Sequence, residues 1–97
     1  MTNKVYVVAT IIAKDGQQDD LKAALQGLVP VAKTEAGYIQ YDLHQSIERP
    51  TQFVFYEIWE NERLLDEHNN TDFMKTFGET AGKWIDSVQI DKFALVS

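Results

Sequence analysis

The 97-residue sequence contains no cysteine, only two prolines and two histidines, and few basic residues. Without cysteine the chain can form no disulfide bond, thiolate nucleophile or cysteine-ligated zinc or iron–sulfur site. Its 9 lysines and arginines stand against 15 aspartates and glutamates, which gives a formal net charge of −6. The basic residues form no cluster, so binding to nucleic acid or to an anionic membrane surface is not expected.

Long hydrophobic runs and familiar cofactor motifs are absent as well. No segment approaches the ~20 apolar residues that span a bilayer, and the first residues lack the pattern of a secretory signal. A cytoplasmic location is therefore the expectation. The sequence has no glycine-rich phosphate loop, and its two histidines, His44 and His68, are not spaced as metal ligands. We expect neither a metal nor an organic cofactor.

Hydrophobic periodicity predicts four strands and two helical regions in a single domain over residues 1–97. Strands are expected over 4–13, 38–46, 52–59 and 88–96. The first helix is expected from about Gln18, with Pro30 kinking or interrupting it and Gly37 capping it. A second, short helix is expected over 62–69, and a third after a break at 70–72. The order β-α-β-β-α-β predicts an α+β, ferredoxin-like antiparallel sheet with helices on one face.

The first and third predicted strands carry apolar side chains on both faces. Val5 and Val7 alternate with Tyr6 and Val8 in the first strand. Helices on one face of the sheet leave the other face uncovered, and large apolar patches mark interfaces. The sequence therefore predicts a homodimer that packs sheet against sheet.

The strand predicted over 52–59 places an acid among aromatic residues. Side chains alternate along a strand, so four of them share one face: Phe53, Phe55, Glu57 and Trp59. Burying a carboxylate beside three aromatic rings is costly unless it is paired or hydrogen-bonded. Such a conflict between burial and charge marks a candidate functional site. We expect this face to form the wall of a ligand pocket.

The hairpin between the second and third strands has two possible registers. One places Tyr41 and Leu43 beside Glu57, whereas the other places Asp42 and His44 there. A slip of one residue turns every side chain to the opposite face. The first register is favoured, because it gathers the more apolar set and keeps Asp42 away from Glu57. The predicted pocket face then adds Ile39, Tyr41 and Leu43 to the aromatic strand, beneath helices that carry Leu25, Leu28, His68 and Phe73.

Three side chains of this face can handle protons, and each also has a purely structural interpretation. Glu57 can act as acid or base if burial raises its pKa, or it can bond to a backbone amide or to Arg63. His68 can carry a proton, or it can bond to a carbonyl at the end of its helix. Tyr41 can donate a hydrogen bond to a carbonyl or phenolate oxygen, or it can fill the core. The residues alone leave both interpretations open.

Three segments resemble the antibiotic biosynthesis monooxygenase (ABM) domain family. Residues 35–43 fit the pattern E-x-G-x-x-x-Y-[DE]-L, residues 53–59 fit F-x-x-x-E-x-W, and residues 65–68 fit L-x-x-H, with Phe73 following. Their order and spacing cover nearly the whole chain. Within the family the sequence is most similar to small single-domain quinol monooxygenases and to isomerases that process autoinducer-2 phosphate.

The resemblance implies a dimeric α+β barrel with a cavity between sheet and helices in each subunit. It implies oxygenation of a small quinol or phenolic substrate by molecular oxygen, without metal or flavin, in which the deprotonated substrate itself reduces oxygen. The catalytic residues that it implies are Glu57, His68 and Tyr41. The side chains expected to bind the aromatic substrate are Phe53, Phe55, Trp59 and Phe73.

Two other functions stay open. An isomerase of a small phosphorylated dione would need a cation in the pocket, and the candidates Lys33, Arg49 and Arg63 are all expected on the surface. A non-enzymatic dimeric module for ligand binding or stress response would need no catalytic group. A fold with no cavity near Glu57 and His68 would favour this last function.

Overall fold

The computed structural model describes residues 3–97 and contains one four-stranded antiparallel sheet. The strands lie in the order β2-β3-β1-β4, with bounds β1 (Val5–Ala13), β2 (Tyr38–Gln45), β3 (Gln52–Trp59) and β4 (Ile85–Phe93). The helices are α1 (Gln18–Ala32), α2 (Glu62–Asn69) and α3 (Asp72–Ala81), and a 3₁₀ turn, Gly82–Trp84, leads into β4. The predicted ferredoxin-like topology is confirmed, with its second helical region divided into α2 and α3.

Side-chain caps explain why α2 and α3 are separate helices. The side chain of Asn61 accepts a hydrogen bond from the backbone N–H of Leu64 at 2.9 Å, at the start of α2. Thr71 does the same for the N–H of Met74 at 3.2 Å, at the start of α3. Caps of this kind satisfy amides that the first helical turn leaves unpaired. The predicted break is confirmed, and it leaves His68 in the last turn of α2.

The hydrophobic core lies between the helices and one face of the sheet. Odd-numbered residues of β1 and β3 are buried on this face, and α1 packs Leu21, Leu25 and Leu28 against them. In the β2–β3 hairpin, Tyr41 pairs with Glu57 and Leu43 with Phe55. The predicted hairpin register is therefore confirmed over this stretch.

Three local predictions around β2 and α1 are wrong. Ile39 does not join the core face, because the pairing of β2 with β3 shifts between Tyr38 and Gln40 and leaves Ile39 41% exposed. Pro30 does not interrupt α1, since it lies in the last turn and the helix continues to Ala32. Gly37 does not cap this helix, because it lies in the turn before β2 with φ 85°.

The predicted position of the last strand is also wrong. β4 begins at Ile85 rather than at Val88, and it ends at Phe93 rather than at Val96. It is an edge strand whose length follows from its pairing with β1, which runs from Tyr6 opposite Phe93 to Ala13 opposite Ile85. Local hydrophobicity carries no information about that pairing.

The opposite face of the sheet carries a half-buried apolar stripe along the two central strands. Tyr6 pairs with Ile58 and Val8 with Tyr56, so the two strands contribute to one continuous surface. No helix in the described part of the chain is long and apolar enough to cross a membrane.

Candidate active site

A cavity of about 240 Å³ lies between the helices and the sheet. Tyr41, Phe55 and Glu57 line it from the sheet, and His68 lines it from the end of α2. Most of the remaining wall is apolar and comes from α1, α3, β1 and β4. An apolar cavity with a few convergent polar groups is typical of a small-molecule site.

The part of the cavity wall that β4 contributes is half exposed. Val88 and Ile90 line it and pair with Ile11 and Ala9, whose side chains lie on the helix-covered face. Both are nonetheless half exposed, at 52% and 57%. The polar groups on β2 and β3 are buried, with β1 between them and β4. The wall is therefore polar and buried at β2 and β3 but apolar and half exposed at β4, while exposed Asn69 lines the cavity from the end of α2.

Glu57 is held at the inner end by a residue of its own strand. Trp59 lies two positions further along β3, and its indole Nε1–H donates a hydrogen bond to Oε1 of Glu57 at 2.9 Å. Burial raises the pKa of Glu57 above its ordinary value, while the bond from Trp59 and the nearby His68 act in the opposite direction. A carboxylate in such a setting is a stronger proton acceptor than an exposed one. Arg63 is not its partner, because that side chain pairs with Glu67 on the exposed face of α2.

His68 reaches the cavity from the last turn of α2 and bonds to an acid outside it. Its Nδ1 lies 2.6 Å from Oε1 of Glu35, a residue of the connection between α1 and β2. The imidazole ring lies against Trp59 with ring centroids 4.5 Å apart, and it meets Tyr41 nearly edge-on at 5.6 Å. The hydrogen-bond partner of this ring is therefore a carboxylate and not the backbone carbonyl that the sequence suggested.

Tyr41 completes the polar end of the cavity. It pairs with Glu57 across the hairpin and packs on Phe55, with ring centroids 4.8 Å apart. Burial raises the pKa of its hydroxyl, and Glu57 and Glu35 raise it further. The hydroxyl therefore stays protonated and can donate a hydrogen bond. It has no hydrogen-bond partner among residues 3–97, which leaves that donor for a ligand.

Four of the predicted site residues meet at the cavity, and two more lie beside it. Tyr41, Phe55, Glu57 and His68 line it. Phe53 and Trp59 are fully buried on the same face of the sheet but do not line the cavity. Trp59 acts on the cavity indirectly, since it bonds to Glu57 and packs on His68.

Phe73 lies outside the cavity, and the prediction that it faces the sheet is wrong. It is 45% exposed, whereas Met74 and Phe77 line the cavity and Ala81 is buried. The apolar stripe of α3 therefore runs through Met74, Phe77 and Ala81, and Phe73 lies outside it.

Glu35 is the site residue that the sequence prediction missed. It is far from His68 in sequence and belongs to no helix or strand. The sequence feature that could have indicated its position is the glycine two residues later. Gly37 has φ 85°, and a Cβ added there would lie 2.6 Å from the Cβ of Leu64 on α2. The connection thus packs directly on α2, which brings Glu35 to His68.

The described residues offer little for a metal ion or for a phosphate group. Within residues 3–97 no group of three or more histidine, aspartate and glutamate side chains is arranged to hold a metal. None of the described residues that line the cavity is lysine or arginine. The ionisable groups at the cavity are two proton acceptors and a phenol.

Comparison with known proteins identifies one family. The model described as "Antibiotic biosynthesis monooxygenase" matches residues 4–80. The Bacillus subtilis (strain 168) protein named "Putative monooxygenase YcnE" is 29% identical over 87 residues, which cover 90% of each chain. "Uncharacterized protein sll1783" from Synechocystis is 27% identical over 75 residues, or 77% of this chain. The match spans about half of that relative, 51% of its length.

A solved structure of similar size has the same fold. The crystal structure of PA3566 from Pseudomonas aeruginosa superposes with a TM-score of 0.94 and 31% sequence identity. The superposition covers 100% of this chain and 98% of that one.

Proposed function

The chain belongs to the antibiotic biosynthesis monooxygenase family, and on that premise we propose that it oxygenates a small quinol or phenol with molecular oxygen. One observation carries the proposal: Tyr41, Glu57 and His68 converge on one end of an otherwise largely apolar cavity. Such a site can ionise a hydroxyl group while excluding bulk water.

The size of the cavity supports a substrate with a single ring. Its volume of about 240 Å³ lies below the ~300–1,000 Å³ of sites for drug-sized ligands. The apolar walls favour an aromatic body, and the polar end favours a hydroxyl group on its leading edge. A phosphorylated dione has less support, because the described cavity lining holds no cation.

The first chemical step in the proposal is removal of the hydroxyl proton. Glu57 accepts this proton, because burial already disfavours its charged form and protonation moves the negative charge to the substrate oxygen. The hydroxyl of Tyr41 donates a hydrogen bond to that oxygen as the charge develops.

The substrate anion then supplies all the electrons. A ring carbon bonds to oxygen, and Glu57 returns its proton to the outer oxygen, which gives a hydroperoxide. Nε2 of His68 then takes the proton of that ring carbon as the O–O bond breaks, which leaves a carbonyl on the ring. The departing hydroxide takes this proton from His68 and leaves as water. A phenol and one oxygen molecule thus become a quinone and water: the substrate loses four electrons, one oxygen atom stays on the product and the other leaves.

An oxygen electrode with a panel of one-ring quinols and phenols tests the proposal. We expect uptake that falls by about 100-fold in Glu57→Gln and His68→Ala, the usual effect of removing a general base. Glu79→Gln, on an exposed position of α3, is the matched control and should keep full activity. Uptake no greater than that of buffer across the panel would contradict the proposal and favour a ligand-binding module.

We also propose a homodimer through the apolar stripe on the outer face of the sheet. The stripe is half exposed in one chain, and it lies on the two central strands, where a second sheet can pack squarely. This association would cover the sheet face opposite the cavity.

A further inference from the structure

We infer that Glu35 is a positioning residue, which keeps a proton on Nδ1 of His68 and leaves Nε2 as the proton acceptor that serves the cavity. Glu35 bonds to Nδ1 but does not line the cavity, so its hydrogen-bonded contact with the site is through His68. The part of the inference that concerns catalysis rests on the proposed function. The part that concerns the proton on the ring does not.

The contact between Glu35 and His68 defines which group donates. The two atoms lie 2.6 Å apart, a short distance typical of a charge-assisted hydrogen bond. An ionised carboxylate can only accept, so Nδ1 carries the proton. In the neutral ring Nε2 then has a free lone pair. Within residues 3–97 no other hydrogen bond to this ring occurs, which leaves that lone pair for a ligand.

Packing holds the ring, so Glu35 has only to place the proton. The side chain of His68 is 3% exposed. Trp59 covers one face of the imidazole, and Tyr41 meets it nearly edge-on. The ring is therefore held by its contacts with Trp59 and Tyr41.

Glu35 is itself held by its backbone. Its N–H donates to the carbonyl of Ala32 at 3.1 Å, and its carbonyl accepts from the N–H of Tyr38 at 3.3 Å. The close approach of Gly37 to Leu64 then ties the same connection to α2. The backbone of Glu35 is thus held close to the helix that carries His68.

Three titratable side chains surround the ring. They are Glu35 from the α1–β2 connection, Tyr41 from β2 and Glu57 from β3. None of them is basic, and no lysine or arginine of residues 3–97 lines the cavity beside the ring. Nε2 is therefore the basic nitrogen that this end of the cavity presents.

Nitrogen NMR of protein labelled with ¹⁵N-histidine tests the inference without a substrate. At a pH where both imidazoles are neutral, we expect His68 in the form with the proton on Nδ1. His44 is the second histidine of the chain, and its removal in His44→Gln assigns the signals. A proton on Nε2 of His68 in the unaltered protein would overturn the inference.

Two substitutions separate the charge of Glu35 from its hydrogen bond. Glu35→Gln keeps an oxygen that can accept from Nδ1, so the proton should stay on that nitrogen. Glu35→Ala removes the acceptor, and His68 should shift toward the form with the proton on Nε2. An unchanged proton position in a folded Glu35→Ala variant would overturn the inference.

Kinetics on any substrate that the panel identifies extend the test to catalysis. We expect Glu35→Ala to lower kcat by about 10- to 100-fold, the usual effect of losing a residue that orients a histidine, with little change in KM. The kcat of Glu35→Gln should lie between those of Glu35→Ala and the unaltered protein. Equal kcat in Glu35→Ala and the unaltered protein would overturn the catalytic part. A panel without oxygen uptake would contradict the proposed function alone, since the NMR result decides the position of the proton.

Discussion

Glu57 and Trp59 satisfy each other at the inner end of the cavity. A buried indole N–H needs an acceptor, and a buried carboxylate needs a donor. Their spacing of two residues puts both on the same side of β3, so the strand period alone brings the two groups together. The E-x-W part of the F-x-x-x-E-x-W pattern is therefore a structural unit. The bond satisfies only one carboxylate oxygen, and the raised pKa of Glu57 reflects the burial that remains.

That pKa predicts how stability depends on pH. Above the ordinary value of 4.5 the unfolded chain loses the proton of Glu57, whereas the folded protein retains it up to a higher pH. The contribution of protonated Glu57 to stability is fully present below pH 4.5 and is lost as the pH rises through its folded-state pKa. Glu57→Gln cannot lose a proton and still accepts from Trp59. Relative to the unaltered protein, its free energy of unfolding should therefore rise with increasing pH, until Glu57 is ionised in both states of the unaltered protein.

Urea unfolding between pH 4 and pH 8 measures this difference. Glu79→Gln provides the control for loss of an exposed carboxylate, and its difference from the unaltered protein should stay nearly flat over the same range. A difference for Glu57→Gln that does not change with pH would contradict the raised pKa.

At the scale of elements, the connection between α1 and β2 joins the helix layer to the sheet. Gly37 is its last residue before β2, with its carbonyl accepting from the N–H of Glu60 at 2.9 Å and its Cα against Leu64. A left-handed backbone and an absent side chain are both required there. The connection places Glu35, so the geometry of the site depends on this packing.

Substitution of Gly37 tests that packing, and a second glycine offers a matched control. Gly37→Ala should lower the free energy of unfolding by about 2–4 kcal/mol, from the strained backbone and the clash with Leu64. Gly16 has a similar φ of 79° but nothing within 4 Å of an added Cβ. Gly16→Ala should therefore lose only about 1–2 kcal/mol. Equal losses in urea unfolding would mean that the contact with Leu64 carries no energy.

The sequence predicts the elements better than it predicts their ends and their contacts. Periodicity and capping residues lie within one segment, so α2, α3 and the β2–β3 register are predictable. The irregularity at Ile39 and the ends of β4 depend on pairing with another strand, which local sequence does not record. The bond between Glu35 and His68 joins distant parts of the chain in the same way. Glu57 was found because its conflict with its aromatic neighbours is local.

At the scale of the whole molecule, the sheet separates two surfaces of different character. The helix-covered face holds the core and the cavity, while the outer face carries the apolar stripe. Because successive residues of a strand point to opposite sides, one strand can serve both. In β3, Glu57 faces the cavity and Tyr56 faces outward. Changes to the outer face should therefore alter association before they alter the cavity.

Light scattering after size exclusion tests the proposed association. We expect the unaltered protein to elute with twice the mass of one chain, and Val8→Lys to elute as a monomer, because an unpaired charge in an apolar interface is strongly unfavourable. Thr76→Lys, on an exposed position of α3, adds the same charge and should remain a dimer. A single-chain mass for the unaltered protein at micromolar concentration would contradict the proposal.

The half-exposed apolar wall at β4 has a consequence for what can enter the cavity past that strand. Val88 and Ile90 form this wall, and the buried groups Tyr41 and Glu57 lie on the other side of β1. A solute that enters past β4 must therefore shed its hydration before it meets these buried groups. A molecule with one polar group on an apolar body loses hydration only at that group. The desolvation of a sugar, or of any other molecule that is polar on all sides, costs more because it involves the whole surface. Dissolved oxygen is only weakly hydrated, so its desolvation costs very little.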